Sequence, residues 1–437
     1  MQEKIGVIGL GYIGLPLLGA LASVGYNVMG VDTNTAKIKH LNTTYEPDIY
    51  EPGLSEILKR YRSAITFTDS HEQLMNHCNV IMITVGTPLK KDNTPDLSAI
   101  QAVFQKIGKH LRPGHLIILK STVVPGTTRE MARTLEESSG LKAGEDFHIA
   151  FFPERTIEGL ALHELHTLSK IVGGINPEST ERTARIVGKL GGKVIKVSSP
   201  EVAEMCKVID NTYRSINVAL ANEIGMICEK IGLDAYEVVS AVNAEYARTA
   251  LARSGLGANG PCLSKDPQIL VHFARQKGVD ARIVSESIVM NRTATLRVAD
   301  KVLEFIRRQG LETPTVSFLG LAFKGFPETD DTRDSPTILI KNALEKEIPD
   351  MKCQYYDPLI TEIFGCPAAP SMAEAIKGAN IVLFLTNHPK LTGIPAAELL
   401  ETTARPLLVV DCWHNIIGPQ LITGNGAAIF RIGDGTV

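Results

Sequence analysis

The stretch that decides the fold is KIGVIGLGYIGLPLLGALASVGYNVMGVD, residues 4–32. An apolar strand (Ile5–Ile8) runs into Gly9, Gly11 and Gly14 in GxGxxG order. A helical stretch follows over Leu15–Val24, apolar at Leu17, Leu18, Leu21 and Val24. A second strand, NVMGVD, ends in Asp32, 21 residues after Gly11. Each part has a physical task in a dinucleotide-binding βαβ unit. Gly9 permits the tight turn, Gly11 removes a side chain where backbone would meet a pyrophosphate, and Gly14 lets the helix pack close to the sheet. The helix N-terminus faces the phosphates with its partial positive charge. Asp32 can accept hydrogen bonds from ribose hydroxyls and would repel a 2′-phosphate, so NAD is expected over NADP. Tyr12 and Ile13, inside the turn, complete the expected cofactor-binding set.

The rest of the chain fits this start. With 437 residues, two or three domains are expected. Hydrophobic residues make up 44% and charged residues 21%, enough for substantial cores. A net charge of −3 argues against a general nucleic-acid or membrane-surface binder, so an anionic ligand must be held by local groups. Seven scattered cysteines with no CxxC pair and no zinc spacing imply reduced thiols, no metal site and a cytoplasmic protein. No signal peptide and no membrane-spanning run is read from the sequence.

Further apolar runs leave room for crossover helices between them: NVIMITVG (79–86), HLIILKST (115–122), HIAFFPE (148–154), SKIVGG (169–174) and KVIKVSS (193–199). Such runs suit strands buried on both faces of a parallel sheet, where ligands bind beyond the carboxyl ends. Thr87, Thr122 and Glu154 sit at such ends. The threonines are equally compatible with loop capping; Glu154 is a candidate base.

The centre, 198–232, predicts one long helix, with Ser199 as N-cap, Pro200 as first residue and Gly232 as stop. Its apolar positions are Val202, Met205, Ile209, Ile216, Leu220 and Ile227. At about 1.5 Å per residue it would span roughly 50 Å, a length suited to bridging domains or forming an oligomer interface. Lys207 and Asn211 share one face at i, i+4, a possible donor pair for a developing oxyanion. Next comes GANGPCLSKDP (257–267). Asp266 before Pro267 reads as the N-cap of a helix continuing through QILVHFARQKG. Cys262 would then lie just ahead of that helix, three residues from Lys265, and both features favour thiolate. Burial as a small hydrophobe suits Cys206, Cys228 and Cys353 better than a cysteine among glycines.

Four more strands, TVSFLGLAF (315–323), KCQYYDP (352–358), NIVLFLTNHP (380–389) and PLLVVDCWHN (406–415), predict a second, smaller Rossmann-like sheet without GxGxxG. FKGFPETDDTRDSP (323–336) places Lys324 and Arg333 in the loop after its first strand. The expected architecture is α/β: two Rossmann-like parallel sheets joined by a long central helix. The expected domains are 1–198 (NAD-binding), 199–309 (helical, with the cysteine loop) and 310–437 (Rossmann-like).

NAD with a reactive cysteine suits a double oxidation. A thiolate adding to an aldehyde gives a thiohemiacetal oxyanion that can lose hydride, leaving a thioester that water releases as carboxylate. Cys262, the Lys207/Asn211 pair, and Asp266 or Glu154 fill the required roles.

GLGYIGLP, VGTP, STVVPGTT, PER, KVIDNTYRSINVALANE, GPCLSKDP and GLAFKG…DDTRDSP, in this order over nearly the whole chain, resemble the UDP-glucose/GDP-mannose dehydrogenase family. The resemblance implies two-step oxidation of a sugar C6 hydroxyl to a uronate with two NAD. It makes Cys262 the nucleophile, Lys207 and Asn211 the oxyanion donors and Asp266 the base or water-assisting group. Thr122 would place water, and Glu154 would serve thioester hydrolysis or proton transfer. It puts Thr87, Thr122, Lys265 and Arg333 on the cofactor, and Glu154, Arg155, Lys207, Asn211, Gly257, Gly260 and Lys324 on the nucleotide sugar. It further implies a homodimer through the long helix, with Arg248 or Arg253 reaching the partner's substrate. FFPER looks more like members acting on UDP-N-acetylmannosamine or UDP-N-acetylglucosamine than on UDP-glucose or GDP-mannose, with Arg155 as a possible recognition group. Where the family commonly has a glycine, this chain has Asn259, expected to tolerate left-handed backbone angles.

Overall fold

The computed structural model describes residues 3–424 and 426–436. Two compact units emerge. One runs from the N-terminus through Asp210 and takes in Gln268–Val279; the other holds Asn211–Pro267 and everything from Asp280 onward.

The first unit is built on eight strands: β1 (Lys4–Ile8), β2 (Asn27–Val31), β3 (Ile65–Thr68), β4 (Val80–Ile83), β5 (Leu116–Leu119), β6 (His148–Phe151), β7 (Lys170–Gly174) and β8 (Val194–Lys196). Their order is β3-β2-β1-β4-β5-β6-β7-β8, with β1 at the switch point and paired in parallel to both β2 and β4. Alternate side chains feed two cores. Ile5 and Val7 pack with Leu17, Leu18 and Leu21, whereas Ile8 joins Phe104, Leu119 and Phe147. This is the doubly wound arrangement expected of a Rossmann sheet. The fully parallel sheet is corrected at one seam: β6 and β7 are antiparallel, with Ala150 opposite Gly174. Burial on both faces demands apolar runs in either direction, so composition does not encode strand orientation.

The second unit carries β9 (Thr315–Leu319), β10 (Lys352–Tyr356), β11 (Ile381–Phe384), β12 (Leu407–Asp411) and β13 (Ala427–Arg431). The order is β10-β9-β11-β12-β13, all parallel. Strands β3 and β13 were not among the expected ones.

Six helices matter below: α1 (Gly14–Ser23), α2 (Thr127–Ser139), α3 (Pro200–Ile231), α4 (Gly260–Leu263), α5 (Asp266–Gln276) and α6 (Arg282–Gln309). The 32-residue α3 starts at Pro200, where the Ser199 hydroxyl accepts from the Val202 amide, and Gly232 follows it with φ +73°. Its faces reverse the simple amphipathic expectation. Val202, Ile209, Leu220 and Ile227 are 40–55% exposed, while Glu204, Lys207, Asn211, Ser215 and Asn222 are buried.

The turn from β1 into α1 is the tightest point of the first unit. Gly9 has φ +94°, and a Cβ on Gly14 would lie 1.7 Å from the Gly9 carbonyl oxygen. The Thr84 hydroxyl, just past β4, donates to the carbonyls of Ile8 (3.0 Å) and Gly9 (2.8 Å) and fixes the turn from the neighbouring strand. Replacing Gly14 with Ala must push helix and turn apart. We expect Gly14→Ala to lower stability in urea unfolding by about 1–3 kcal/mol, the usual cost of overpacking, and to weaken NAD binding in a calorimetric titration.

Candidate active site

In the first unit, the βα turn fits a dinucleotide. A Cβ on Gly11 would meet nothing within 4 Å, and no side chain caps the start of α1. The backbone there is therefore open to a ligand, and the first amides of the helix have no side-chain competitor for a phosphate. Tyr12 and Ile13 are half-buried beside the turn. Asp32 follows β2, and its carboxylate oxygens accept the Leu10 and Asn34 amides, both at 2.9 Å. Those bonds place the acid beside the glycine turn and leave lone pairs for ribose hydroxyls.

The loops after β4 and β5 are tied together, because the Thr87 hydroxyl donates to the Thr122 carbonyl at 2.7 Å. Next to Thr122 lies Lys120, 1% exposed, with Nζ 3.0 Å from Glu154 Oε2 and 3.8 Å from the Phe152 ring centroid. The other Glu154 oxygen accepts the amides of Arg155 and Thr156, each at 2.7 Å. Burial alone would raise the Glu154 pKa, but the Lys120 charge and these donors hold the carboxyl below its ordinary value. Arg155 is engaged elsewhere. Its Nε donates to Asp210 at 2.7 Å and its Nη1 reaches Ser169. Lys207 is buried on α3.

Sequence reasoning missed Lys120 and a second buried acid, Glu204. Glu204 accepts the amides of Gly126 (2.6 Å) and Thr128 (2.7 Å) and the Thr128 hydroxyl (2.6 Å). It therefore caps α2 from a distance and anchors the loop that follows Thr122 to the turn of α3 before Lys207. Burial pushes its pKa up to about 7, with the three donors opposing. The only sequence signal for Lys120 is a lysine closing an apolar strand at the sheet's ligand edge.

In the second unit, Asn211 and Asp266 meet. Both are buried, and Asn211 Nδ2 donates to Asp266 Oδ2 at 2.6 Å. Lys265 Nζ is 3.3 Å from Asp266 Oδ1. Asp266 is itself the first residue of α5 rather than a cap outside it. Cys262 is exposed, whereas Cys228 is buried and Cys206 and Cys353 are half-buried. A second correction concerns its setting. Cys262 occupies its own one-turn helix, α4, separated from α5 by Ser264 and Lys265. The expected left-handed Asn259 is also corrected, for its φ is −110° and ψ −178°. The side chain explains why. Asn259 Nδ2 donates to the carbonyls of Leu256 (2.6 Å) and Gly257 (3.1 Å), bracing the loop in an extended form.

The glycines of this loop are required by packing. Gly257 (φ +82°) leaves room for the Asn291 carbonyl, 2.3 Å from where a Cβ would stand, and Gly260 (φ +84°) for the Phe323 ring, at 2.4 Å. Asn291 on α6 also accepts the Ala258 amide and donates to Ser215 of α3. The Gly260 amide donates to the Asp334 carbonyl (3.1 Å), and the Ser264 hydroxyl to the Asp334 carboxylate (2.9 Å). The cysteine loop is thereby joined to the charged loop after β9. In that loop Lys324 donates to the Pro327 carbonyl and Arg333 is paired to Asp331 (2.6 Å). Arg248 lies over Tyr246, and Arg253 over Tyr236, which stacks on His414 with centroids 3.7 Å apart. His414, Asp234 and Asp434 bring donor atoms within 4.8 Å of one another, but Arg431 already pairs with Asp434 at 2.9 Å.

Glu204 generates a pH prediction. A carboxyl with a raised folded-state pKa contributes stability below its unfolded value, and loses it as pH rises through the folded value. Between pH 4.5 and 8 the wild type should lose about 3 kcal/mol relative to Glu204→Gln, read as the difference between their urea-unfolding curves.

Comparison with known proteins agrees along the whole chain. Residues 3–190 match the UDP-glucose/GDP-mannose dehydrogenase family NAD binding domain, 201–293 its central domain and 317–419 its UDP binding domain. The chain is 33% identical over 422 residues to the UDP-N-acetyl-D-mannosamine dehydrogenase of Pyrococcus horikoshii, covering 95% of this chain and 96% of that protein. The solved structure of the Pyrococcus horikoshii UDP-D-ManNAc dehydrogenase superposes with a TM-score of 0.88 at 31% identity, over 99% of this chain and 100% of that one. That of the NDP-N-acetyl-D-galactosaminuronic acid dehydrogenase of Methanosarcina mazei gives 0.82 at 28% identity, over 100% and 96%. No helix among the described residues is long and apolar enough to cross a membrane. With three consecutive domain matches and a glycine turn shaped for NAD, the chain belongs to the UDP-glucose/GDP-mannose dehydrogenase family and is an NAD-dependent nucleotide-sugar dehydrogenase.

Proposed function

We propose that the protein oxidises the C6 hydroxyl of UDP-N-acetyl-D-mannosamine to the uronate in two successive two-electron steps at one nucleophilic cysteine. The observation that carries this reading is the exposed thiol of Cys262, held on a loop braced by Asn259, Asn291 and Asp334. NAD, when bound, supplies the hydride acceptor for each oxidation. Glycines 9, 11 and 14 and Asp32 would hold it, with Thr87, Thr122, Lys265 and Arg333 as further contacts.

The chain's own groups have the following tasks. Asp266, buried and bonded to Asn211, handles the proton of the substrate hydroxyl or of water. Cys262 adds as thiolate to the C6 aldehyde, and Lys207 and Asn211, one turn apart on α3, donate to the resulting oxyanion. Loss of hydride from that adduct leaves a thioester on Cys262. Glu154, held ionised, takes a proton from the water that releases the uronate, and Thr122 positions that water. Lys324, Gly257 and Gly260 serve the nucleotide sugar. Arg155, beside Glu154 and paired with Asp210 in the structure, is the candidate recognition group for the sugar.

The choice of sugar is supported by the names of the relatives, and the UDP-N-acetylglucosamine, UDP-glucose and GDP-mannose readings are arms of the same test. A panel of these sugar nucleotides with NAD should give two NADH per sugar consumed, fastest with UDP-N-acetyl-D-mannosamine. A yield of one NADH would overturn the double oxidation. Cys262→Ala should abolish uronate while leaving NAD affinity nearly unchanged, since Cys262 is not among the residues expected to hold NAD.

The protein is further read as a homodimer paired through α3. Val202, Ile209, Tyr213, Leu220, Ile227 and Ile231 form an exposed row at intervals of four and seven residues, the spacing of a helix–helix seam. Either Arg248 or Arg253 would then reach toward the partner's substrate. Leu220→Glu combined with Ile227→Glu should convert the dimer to monomer in sedimentation; an unchanged sedimentation coefficient would reject this interface. Reduced thiols at all seven cysteines suit a cytoplasmic setting.

A further inference from the structure

The ligand edge of the first unit contains a charge arrangement that the scheme above leaves without a role. Glu154 is gripped differently at its two oxygens. Oε1 is fixed by the backbone amides of Arg155 and Thr156, whereas Oε2 faces the ammonium of Lys120. Lys120 is wholly buried, and its Nζ also lies 3.4 Å from the Pro153 carbonyl and over the Phe152 ring. All these contacts come from the segment between β6 and Glu154 itself. Other charges act from neighbouring elements: Lys170 of β7, which feels both Lys120 and Glu154, and Lys207 of α3, which repels Lys120. Lys120 thus pairs with Glu154 while two further lysines bear on that pair.

A buried lysine in such company is expensive, because burial pushes its ammonium toward the neutral form and Lys207 adds to that, while Glu154 opposes. An apolar residue would fill the same space without the penalty. The geometry instead directs this charge at the Glu154 oxygen that the backbone does not hold.

We propose that Lys120 is the positioning residue of Glu154, keeping its carboxylate ionised and its second oxygen fixed, so that it serves as proton acceptor in hydrolysis of the thioester. This rests on the double-oxidation reading. In the step concerned, water adds to the thioester carbonyl carbon. A C–O bond forms, the C–S bond breaks, and sulfur leaves with the bonding pair as thiolate. One water proton passes to Glu154 and on to solvent, and no redox change occurs. Without Lys120, a buried carboxylate loses its counter-charge and takes a proton, so it can no longer accept one from water near neutral pH.

The test uses the full chain with NAD and UDP-N-acetyl-D-mannosamine. In Lys120→Met the acid limb of turnover should move upward by about one to three pH units, the range for losing an adjacent opposite charge. Intact-mass measurement during turnover near neutral pH should show acyl adduct on Cys262, as it should in Glu154→Gln. Raising the pH should rescue Lys120→Met but not Glu154→Gln. A wild-type pH profile without adduct in Lys120→Met would overturn the proposal. If instead Glu154→Gln accumulates no adduct and the wild type yields one NADH, the double-oxidation reading itself fails, which is a different result. Should Lys120→Met not fold, the double variant Lys120→Met/Glu154→Gln, neutral at both positions, replaces it. Because Lys120 acts only through Glu154, the double variant should match Glu154→Gln in rate; a further tenfold loss would overturn the proposal.

Discussion

The first unit depends on one close approach, that of Gly14 to the Gly9 carbonyl. No side chain can stand between them, and Thr84 holds the turn from the adjacent strand by bonding the carbonyls on either side of the β1 end. This contact sets how near α1 comes to the sheet, and therefore how near its uncapped amides come to a pyrophosphate. Because β1 lies at the switch point, the loops after β4 and β5 open beside the same turn, with Thr87 and Thr122 fastened to each other. The glycine turn and the loops that carry Thr87 and Thr122 are thus arranged by packing and hydrogen bonds before any ligand contributes.

The long helix α3 makes the complementary point. Its buried side carries Glu204, Lys207, Asn211, Ser215 and Asn222 beside small and apolar residues such as Ala203 and Val208, while Val202, Ile209, Leu220 and Ile227 are exposed. Buried polar groups are costly unless bonded, and here they are bonded to specific loops. Glu204 binds the loop after Thr122, Asn211 binds Asp266, and Asn222 accepts the Gly255 amide. The helix works as a rack to which these loops are fastened by its buried polar side chains.

What the sequence made legible followed from locality. The glycine turn, Asp32, the Pro200 start of α3 and the strands of both sheets other than β3 and β13 are short-range patterns with one physical cause each. Strand β3, ITFT, is too short and too polar to stand out, and the reversed pairing of β7 is a relation between segments that neither segment records. Lys120 and Glu204 were missed for a related reason. A charged residue in an apolar run looks like a strand end or a dipole partner until its counterpart, distant along the chain, is seen against it. Cys262, Lys207, Asn211 and Asp266 stood out in the sequence as candidate groups, but the bond between Asn211 and Asp266, the one-turn helix around the cysteine and the buried polar side of α3 emerged only from the fold.

The braced cysteine loop also bears on chemical ageing. Asn259 precedes Gly260, the dipeptide in which a glycine amide nitrogen most readily attacks the preceding side-chain amide to close a succinimide. Here the Gly260 nitrogen is committed to the Asp334 carbonyl, and the Asn259 amide to two carbonyls of its own loop. The bonds that hold the Cys262 loop in place therefore shield its Asn-Gly pair from deamidation, so that the same contacts that shape the loop also guard it against ageing.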